Sequence, residues 1–161
     1  MAPNPLTWLA PIGRVLLALI FIMSAAGKLQ DWQGTVQMMA DRGLPAPDML
    51  LSVAVGLELV GGALVVVGLY ARWGALALLL FLVPVSVIMH NFWALPEDQA
   101  RGQMINFMKN VSIAGGLVFL MAMGAGPLSI DALRERRFSK PSRTSGLPSS
   151  VGSIGPGDFN H

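Results

Sequence analysis

The sequence contains no cysteine and only two histidines, His90 and His161. Without cysteine the chain forms no disulfide, operates no thiol relay and holds no iron–sulfur cluster through thiolates. With so few histidines, neither a bis-histidine haem nor a structural zinc site is expected. We therefore expect no haem and no metal, and any electrons that pass through this protein must be carried by a bound diffusible molecule.

Charge is also scarce, since 12% of the 161 residues are charged and 53% are hydrophobic. Soluble domains carry roughly 25% charged residues, so the composition indicates a protein whose main solvent is lipid. The length allows one folded domain. The basic residues crowd into a short stretch after the last apolar run, and this asymmetry indicates membrane orientation rather than binding to nucleic acid.

Four apolar stretches, at residues 8–27, 49–70, 73–89 and 104–126, each approach the length that crosses ~30 Å of hydrocarbon. The third is the shortest, and we expect it to extend through Phe92. Only a few residues separate the second and third stretches, so these two spans should be antiparallel neighbours. The sequence thus predicts an all-α integral membrane protein built as a four-helix bundle.

Residues 31–42 follow the first stretch and place Trp32, Val36 and Met39 on one helical face, with polar residues around the rest. This pattern predicts a short helix in the membrane interface. Gly43 permits a left-handed cap and Pro45 cannot continue a helix, so the segment should end there.

Residues 1–137 form the predicted transmembrane domain, and residues 138–161, rich in Ser, Pro and Gly, form a predicted disordered tail. Arg72 and five basic residues after the last span lie on one side of the membrane, against Lys28, Arg42 and Arg101 on the other. The positive-inside rule therefore places the N- and C-termini in the cytoplasm.

The first stretch has an alternative interpretation as a secretory signal. Arg14, the apolar residues 15–23 and the small residues 24–27 match the general form of such a signal and its cleavage site. We favour a retained span because Leu6, Trp8 and Ile12 are already apolar before Arg14 and because the next segment is typical of a membrane surface helix.

Ionisable residues inside the apolar stretches are the candidate functional residues, because each costs roughly 2.5–3.5 kcal/mol at a helix centre. Glu58 is expected ~13 Å below the outer surface, near the midplane, and shares a helical stripe with Gly61 and Gly62. We expect Glu58 to face Lys109 or Arg14. The remaining polar residues should form a mouth on the outer half of the bundle: Lys28, His90, Asn91, Asn106 and Asn110.

Two structural explanations stay open for these residues. Buried ion pairs sometimes only fix the register of helices, and Lys28 and Arg14 are long enough to reach the headgroups. His90 is either an interfacial hydrogen-bonding group or a group that exchanges protons near neutral pH. Pro84 should kink the third span and open space beside Leu80.

The chain resembles the DoxX family of bacterial membrane proteins from Arg14 to Asp131. The resemblance is carried by the motifs Glu-Leu-x-Gly-Gly, His-x-Phe-Trp and Phe-x-Lys-Asn, which read here "ELVGG", "HNFW" and "FMKN". It implies four transmembrane helices, a bacterial inner (cytoplasmic) membrane location, a relationship to the small membrane subunit of thiosulfate:quinone oxidoreductases, and a link to redox stress. The family's recurrent polar positions correspond to Arg14, Lys28, Glu58, His90, Lys109, Asn110 and Asp131.

Three functional hypotheses follow. The first is a redox membrane subunit that binds a quinone, with Glu58, His90 and Lys109 as catalytic groups. In this hypothesis the substrate-binding residues are Arg14, Lys28, Asn106 and Asn110, and a soluble redox enzyme supplies electrons. The second is a non-enzymatic anchor or scaffold for soluble redox enzymes, with the basic tail as a docking or anionic-lipid surface. The third is a small transporter or lipid-binding protein, which would require an oligomer. The sequence leaves open whether the chain is an enzyme, and at most it is a quinone-linked oxidoreductase subunit.

Overall fold

The computed structural model describes residues 5–138. Within this range every regular element is helical, and four helices are long and apolar enough to cross a membrane. The six α-helices are α1 Leu9–Gln30, α2 Trp32–Asp41, α3 Pro47–Val67, α4 Ala71–Met89, α5 Glu97–Met123 and α6 Ile130–Phe138, with 3₁₀ turns at Pro5–Trp8 and Phe92–Ala94. The predicted all-α, four-span bundle with a short helix after the first span is confirmed. The predicted disordered tail, apart from Phe138 at the end of α6, lies outside the described residues.

Local sequence signals set the ends of several helices. Asp31 caps α2 by accepting a hydrogen bond from the Gly34 amide at 3.1 Å. Pro47 occupies the first turn of α3, where its missing amide hydrogen costs nothing. Gly68 ends the same helix in the left-handed region, with φ of 66°. These signals place the turns of the bundle between apolar runs, as a membrane requires.

The four long helices pack in the order α1, α3, α4, α5. Helix α3 packs against α1 and α4, α4 packs against α5, and α1 and α5 approach each other at few residues. Gly61 and Gly74 lie where α3 crosses α4, and a Cβ added to Gly61 would be 3.0 Å from the Gly74 carbonyl oxygen. The two helices are therefore in backbone contact, which is what small residues permit between membrane helices.

Apolar side chains divide into those inside the bundle and those on its outer surface. Phe21, Leu78, Phe81 and Leu117 belong to the main buried cluster. A second cluster beneath α2 consists of Ala25, Met39, Leu51 and Val55. Many other large hydrophobic side chains are exposed on the four long helices. An exterior of this kind fits acyl chains rather than water.

The third apolar span continues to Ala94, past Phe92 as expected, but its regular helix α4 is shorter. It ends at Met89, and the chain turns at His90 before the 3₁₀ turn. Arg42 explains this end, because its Nη1 donates hydrogen bonds to the carbonyl oxygens of Ile88 and Met89 at 3.1 and 3.0 Å. The last carbonyls of a helix need partners from outside it, and a side chain from the α2–α3 connection supplies them here.

Candidate functional site

The two ends of the bundle carry different polar groups, and we name them after His90 and Tyr70. At the His90 end, the last turn of α1 carries Lys28, and α4 finishes before His90. At the Tyr70 end, α3 and α4 are joined by a turn and α6 follows α5. The candidate site lies between the helices toward the His90 end.

An ion pair between α1 and α3 is the principal feature of the site. Lys28 Nζ lies 2.9 and 3.0 Å from the two carboxylate oxygens of Glu58, and it also donates to the hydroxyl of Ser24. The Glu58 side chain is fully buried, whereas 21% of the Lys28 side chain is exposed. Lys28 Nζ also lies 5.3 Å from the ring centroid of Phe81, within the range of a cation–π contact.

The expected partner of Glu58, Lys109 or Arg14, is wrong. Glu58 pairs with Lys28. Side chains of an α-helix lean toward its N-terminus. Lys28 lies in the last turn of α1 at the His90 end, so its side chain extends back into the bundle instead of reaching the headgroups. Glu58 lies about 16 Å along α3 from Pro47 and faces inward on the stripe of Gly61 and Gly62, as the sequence indicated.

The ion pair borders a small cavity, here called the polar chamber, with a volume of about 160 Å³. Helices α1, α3, α4 and α5 all contribute to it. Its polar lining consists of Ser24, Lys28, Glu58, His90 and Asn110, and its apolar lining consists of Ile20, Phe21, Phe81, Leu82, Val85 and Ile113.

His90 is fixed in the chamber wall by a neighbour on α5. Its Nδ1 donates to the side-chain oxygen of Gln103 at 2.8 Å. A neutral ring arranged in this way keeps Nε2 as an acceptor. Gln103 and Ser24 were missed at the sequence level. The signal for each was helical spacing, because Ser24 precedes Lys28 by four residues and Gln103 precedes Asn110 by seven.

The other predicted site residues are not all brought together. Asn110 lines the chamber, whereas Asn106 is half-buried outside its lining and Lys109 is exposed on α5. Arg14 is buried at the Tyr70 end, where Nη1 donates to the Ala125 carbonyl at 2.6 Å and Nη2 to that of Leu128 at 3.0 Å. It lies about 21 Å along α1 from Lys28, which is too far to share a site.

An apolar groove of about 270 Å³ adjoins the chamber. Lys28, Phe81 and Val85 line both spaces. The rest of the groove is formed by apolar side chains of α2, α3 and α4, together with Thr35 and Leu44. Pro84 and Leu80 belong to its wall, so the space expected beside Leu80 is present.

The two spaces together offer the chemistry of an amphiphile site. The chamber presents an ammonium group, a carboxylate, an imidazole and an amide, with the aromatic rings of Phe21 and Phe81 beside them. The groove presents hydrocarbon. A molecule with a small polar head and an apolar tail matches both.

Known proteins are similar to this chain over most of its length. The inner membrane protein YphA of Escherichia coli (strain K12) is 38% identical over 120 residues, which are 74% of this chain and 86% of YphA. The inner membrane protein YqjF of the same organism is 30% identical over 79% of this chain and 92% of YqjF. The Surfeit locus protein 4 homolog of Schizosaccharomyces pombe is 28% identical over 80% of this chain but only 38% of that protein. No solved structure matches the chain.

The family model described as DoxX matches residues 9–91, which is more than half of the chain. These residues include α1 to α4 and most groups of the polar chamber. Together with the four apolar helices, the inner-membrane relatives support a multi-pass protein of the inner membrane. The chain belongs to the DoxX family.

Proposed function

We propose that the protein is a membrane subunit of a redox system and binds the headgroup of a lipid-soluble quinone in the polar chamber. The observation that supports this most directly is the continuity of the chamber with the apolar groove across Lys28, Phe81 and Val85. A quinone has a polar ring and a long hydrocarbon tail. The ring would occupy the chamber and the first part of the tail would lie in the groove.

The chamber suits a quinone ring in size and in hydrogen bonding. A volume of about 160 Å³ equals that of about five water molecules at ~30 Å³ each, which is near the size of one substituted six-membered ring. Quinone carbonyl oxygens accept hydrogen bonds, and Lys28 and Asn110 carry donors in the lining. Phe21 and Phe81 provide aromatic surface for the ring.

Proton transfer is the chemical role that these side chains are suited to. Reduction of a quinone to a quinol takes up two electrons and two protons, one proton on each carbonyl oxygen. We assign proton transfer to His90 and to the Lys28–Glu58 pair, which line the same chamber. The electrons come from a redox partner protein, because the sequence contains no cysteine and almost no histidine with which to hold a redox centre.

The chamber belongs to the periplasmic half of the membrane in this proposal. The Tyr70 end carries Arg72, Arg134, Arg136 and Arg137 on or beside α4 and α6. The His90 end carries Lys28, Arg42 and Arg101. The excess of basic residues at the Tyr70 end supports a cytoplasmic location for that end and for both termini.

Quinone binding to the full chain in lipid nanodiscs tests the proposal. Asn110→Leu removes an amide from the chamber, and Asn106→Leu makes the same change one turn away, outside the lining. We expect the first variant to bind a ubiquinone or menaquinone analogue about tenfold more weakly, which is about 1.4 kcal/mol, and the second to bind like the wild type. Equal affinities for all three proteins would contradict a headgroup site in the chamber.

A wild type that binds no quinone would favour the anchor hypothesis instead. Whatever that result, deletion of the residues after Phe138 tests the anchor hypothesis separately, because an anchor loses capture of its soluble redox partner when the basic tail is removed. A quinone-binding subunit keeps its affinity for quinone after the same deletion.

A further inference from the structure

Helix α6 is held firmly against the turn between α3 and α4. The Asp131 carboxylate accepts hydrogen bonds from the backbone amides of Tyr70 at 2.8 Å and Ala71 at 3.1 Å. The Asp131 amide donates in return to the Gly68 carbonyl at 2.9 Å. Three hydrogen bonds to one turn fix the position of α6, so its basic side chains project from a defined surface rather than from a loose tail.

Between α6 and the start of α4 lies an open cleft of about 870 Å³, which we call the arginine cleft. Arg72, Arg134 and Arg136 line it, together with Tyr70 and Trp73. The Arg134 guanidinium lies 4.7 Å from the Tyr70 ring centroid, which holds it over the turn. Arg72 makes one long contact of 3.4 Å to the Ala122 carbonyl, and a guanidinium has five N–H donors.

The charge of the arginine cleft favours an anion. Its lining also contains two carboxylates, Asp131 and Glu135. Both oxygens of Asp131 already accept backbone hydrogen bonds, so that carboxylate is satisfied within the protein. Its charge remains, so the lining carries three guanidinium groups against two carboxylates, an excess of one positive charge. Only Glu135 has a carboxylate that is exposed and without a hydrogen bond among the described residues, and guanidinium groups bind phosphate oxygens in bidentate geometry.

Exposed apolar side chains place the same cleft at the membrane surface. Trp73, at the start of α4, is 68% exposed, and Leu133 and Phe138 on α6 are also exposed. Tryptophan at the end of a membrane span is typical of the headgroup level, and a basic helix with exposed apolar residues is typical of a lipid surface. A free phosphate ion would make no use of these apolar groups.

We propose that the arginine cleft binds the phosphate of an anionic phospholipid from the leaflet that surrounds the Tyr70 end. The phosphate would lie between Arg72, Arg134 and Arg136, and the acyl chains would run beside Trp73. This site is separate from the polar chamber, which lies toward the opposite end of the bundle. Binding of a lipid in the arginine cleft is therefore independent of whatever occupies the chamber.

Native mass spectrometry of the full chain, after exposure to mixed phosphatidylglycerol and phosphatidylcholine, tests the site. We expect the wild type to retain phosphatidylglycerol at least about fivefold more often than phosphatidylcholine, since each basic residue at the surface strengthens binding to anionic lipid. Arg134→Gln with Arg136→Gln should abolish the preference. Arg134→Lys with Arg136→Lys should keep most of it.

Arg101→Gln with Lys109→Gln is the matched control, because it removes two exposed basic residues outside the arginine cleft. We expect this variant to retain the wild-type preference. The proposal is overturned if the wild type shows no preference or if the control loses it equally. It is also overturned if millimolar inorganic phosphate displaces the lipid completely, because the cleft would then be a site for free phosphate.

Discussion

The ammonium group of Lys28 lies 2.9 Å from Glu58 Oε1 and 3.0 Å from Oε2, and it joins the last turn of α1 to the middle of α3. Glu58 is fully enclosed by protein. This pair is the charged centre of the polar chamber, so its removal should affect both stability and ligand binding.

Glu58→Gln should lower the free energy of unfolding in detergent by about 2–4 kcal/mol, because it leaves a lysine without its counter-charge inside the bundle. Lys28→Gln combined with Glu58→Gln should recover part of this loss, because neither charge is then unpaired. Reversible unfolding of the three proteins measures the effect. A loss from Glu58→Gln no larger than that from Lys109→Gln would show that the pair is not stabilising.

Gly74→Ala should destabilise the bundle by about 1–3 kcal/mol, because a new methyl group must enter a closely packed interface. A Cβ at this position would lie 2.8 Å from Leu64 Cβ and 2.9 Å from the Gly61 carbonyl oxygen. Gly115→Ala is the control, since nothing lies within 4 Å of a Cβ there. We expect the control to be neutral or slightly stabilising through its helix propensity. Equal thermal shifts for the two variants would refute the close α3–α4 contact.

Asp131→Asn should release α6 from the α3–α4 turn, because an amide has only one oxygen to replace two acceptors and directs its NH₂ group toward a backbone amide. We expect trypsin to cut after Arg134, Arg136 or Arg137 several-fold faster in nanodiscs. Glu135→Gln is the control, because Glu135 lies on the same helix and its side chain makes no hydrogen bond among the described residues. The cleavage rate of this variant should stay at the wild-type value. If Asp131→Asn is cut no faster, then Asp131 does not anchor α6.

The orientation of the protein in the membrane can be tested by labelling single introduced cysteines, because the protein has no cysteine of its own. We expect Gln99→Cys, exposed at the His90 end, to react with a membrane-impermeant maleimide in cells whose outer membrane is permeabilised. Glu135→Cys, exposed at the Tyr70 end, should react only after the inner membrane is opened. The reverse pattern would place the polar chamber in the cytoplasmic half.

Ala54→Leu should reduce the affinity for long-tailed quinones, because Ala54 lines the apolar groove and a larger side chain would fill it. Binding of a quinone without a tail should change little. Ala63→Leu makes the same substitution on an exposed face of α3 and serves as the control. Loss of affinity for both tailed and tail-less quinones would indicate a general distortion of the site instead.

The four spans could be predicted from sequence because a helix that crosses lipid needs about 20 mostly apolar residues in a row. The inward stripe of Glu58 followed from helical spacing. The identity of its partner did not follow. The depth of Glu58 in the membrane was compatible with Lys109 or Arg14 as its partner. The tilt of side chains toward the N-terminus of a helix instead brings Lys28 to Glu58. Helix direction and neighbour order must both be known before that choice can be made.

The features missed at the sequence level depend on contacts between distant parts of the chain. Helix α6 has a polar composition that gives little helical signal, and its position rests on Asp131 binding a turn sixty residues earlier. The early end of α4 depends in the same way on Arg42, which lies 47 residues before Met89. Hydrogen bonds of this kind leave no local pattern in the sequence.

Photo-crosslinking with an azidoquinone, mapped by mass spectrometry on the full chain in nanodiscs, tests the proposed headgroup site most directly. We predict label on peptides that line the polar chamber, at residues 20–28, 81–90 and 110–113, and loss of this label when unlabelled quinone is added. Label spread over the lipid-facing surfaces and insensitive to competing quinone would contradict the proposal.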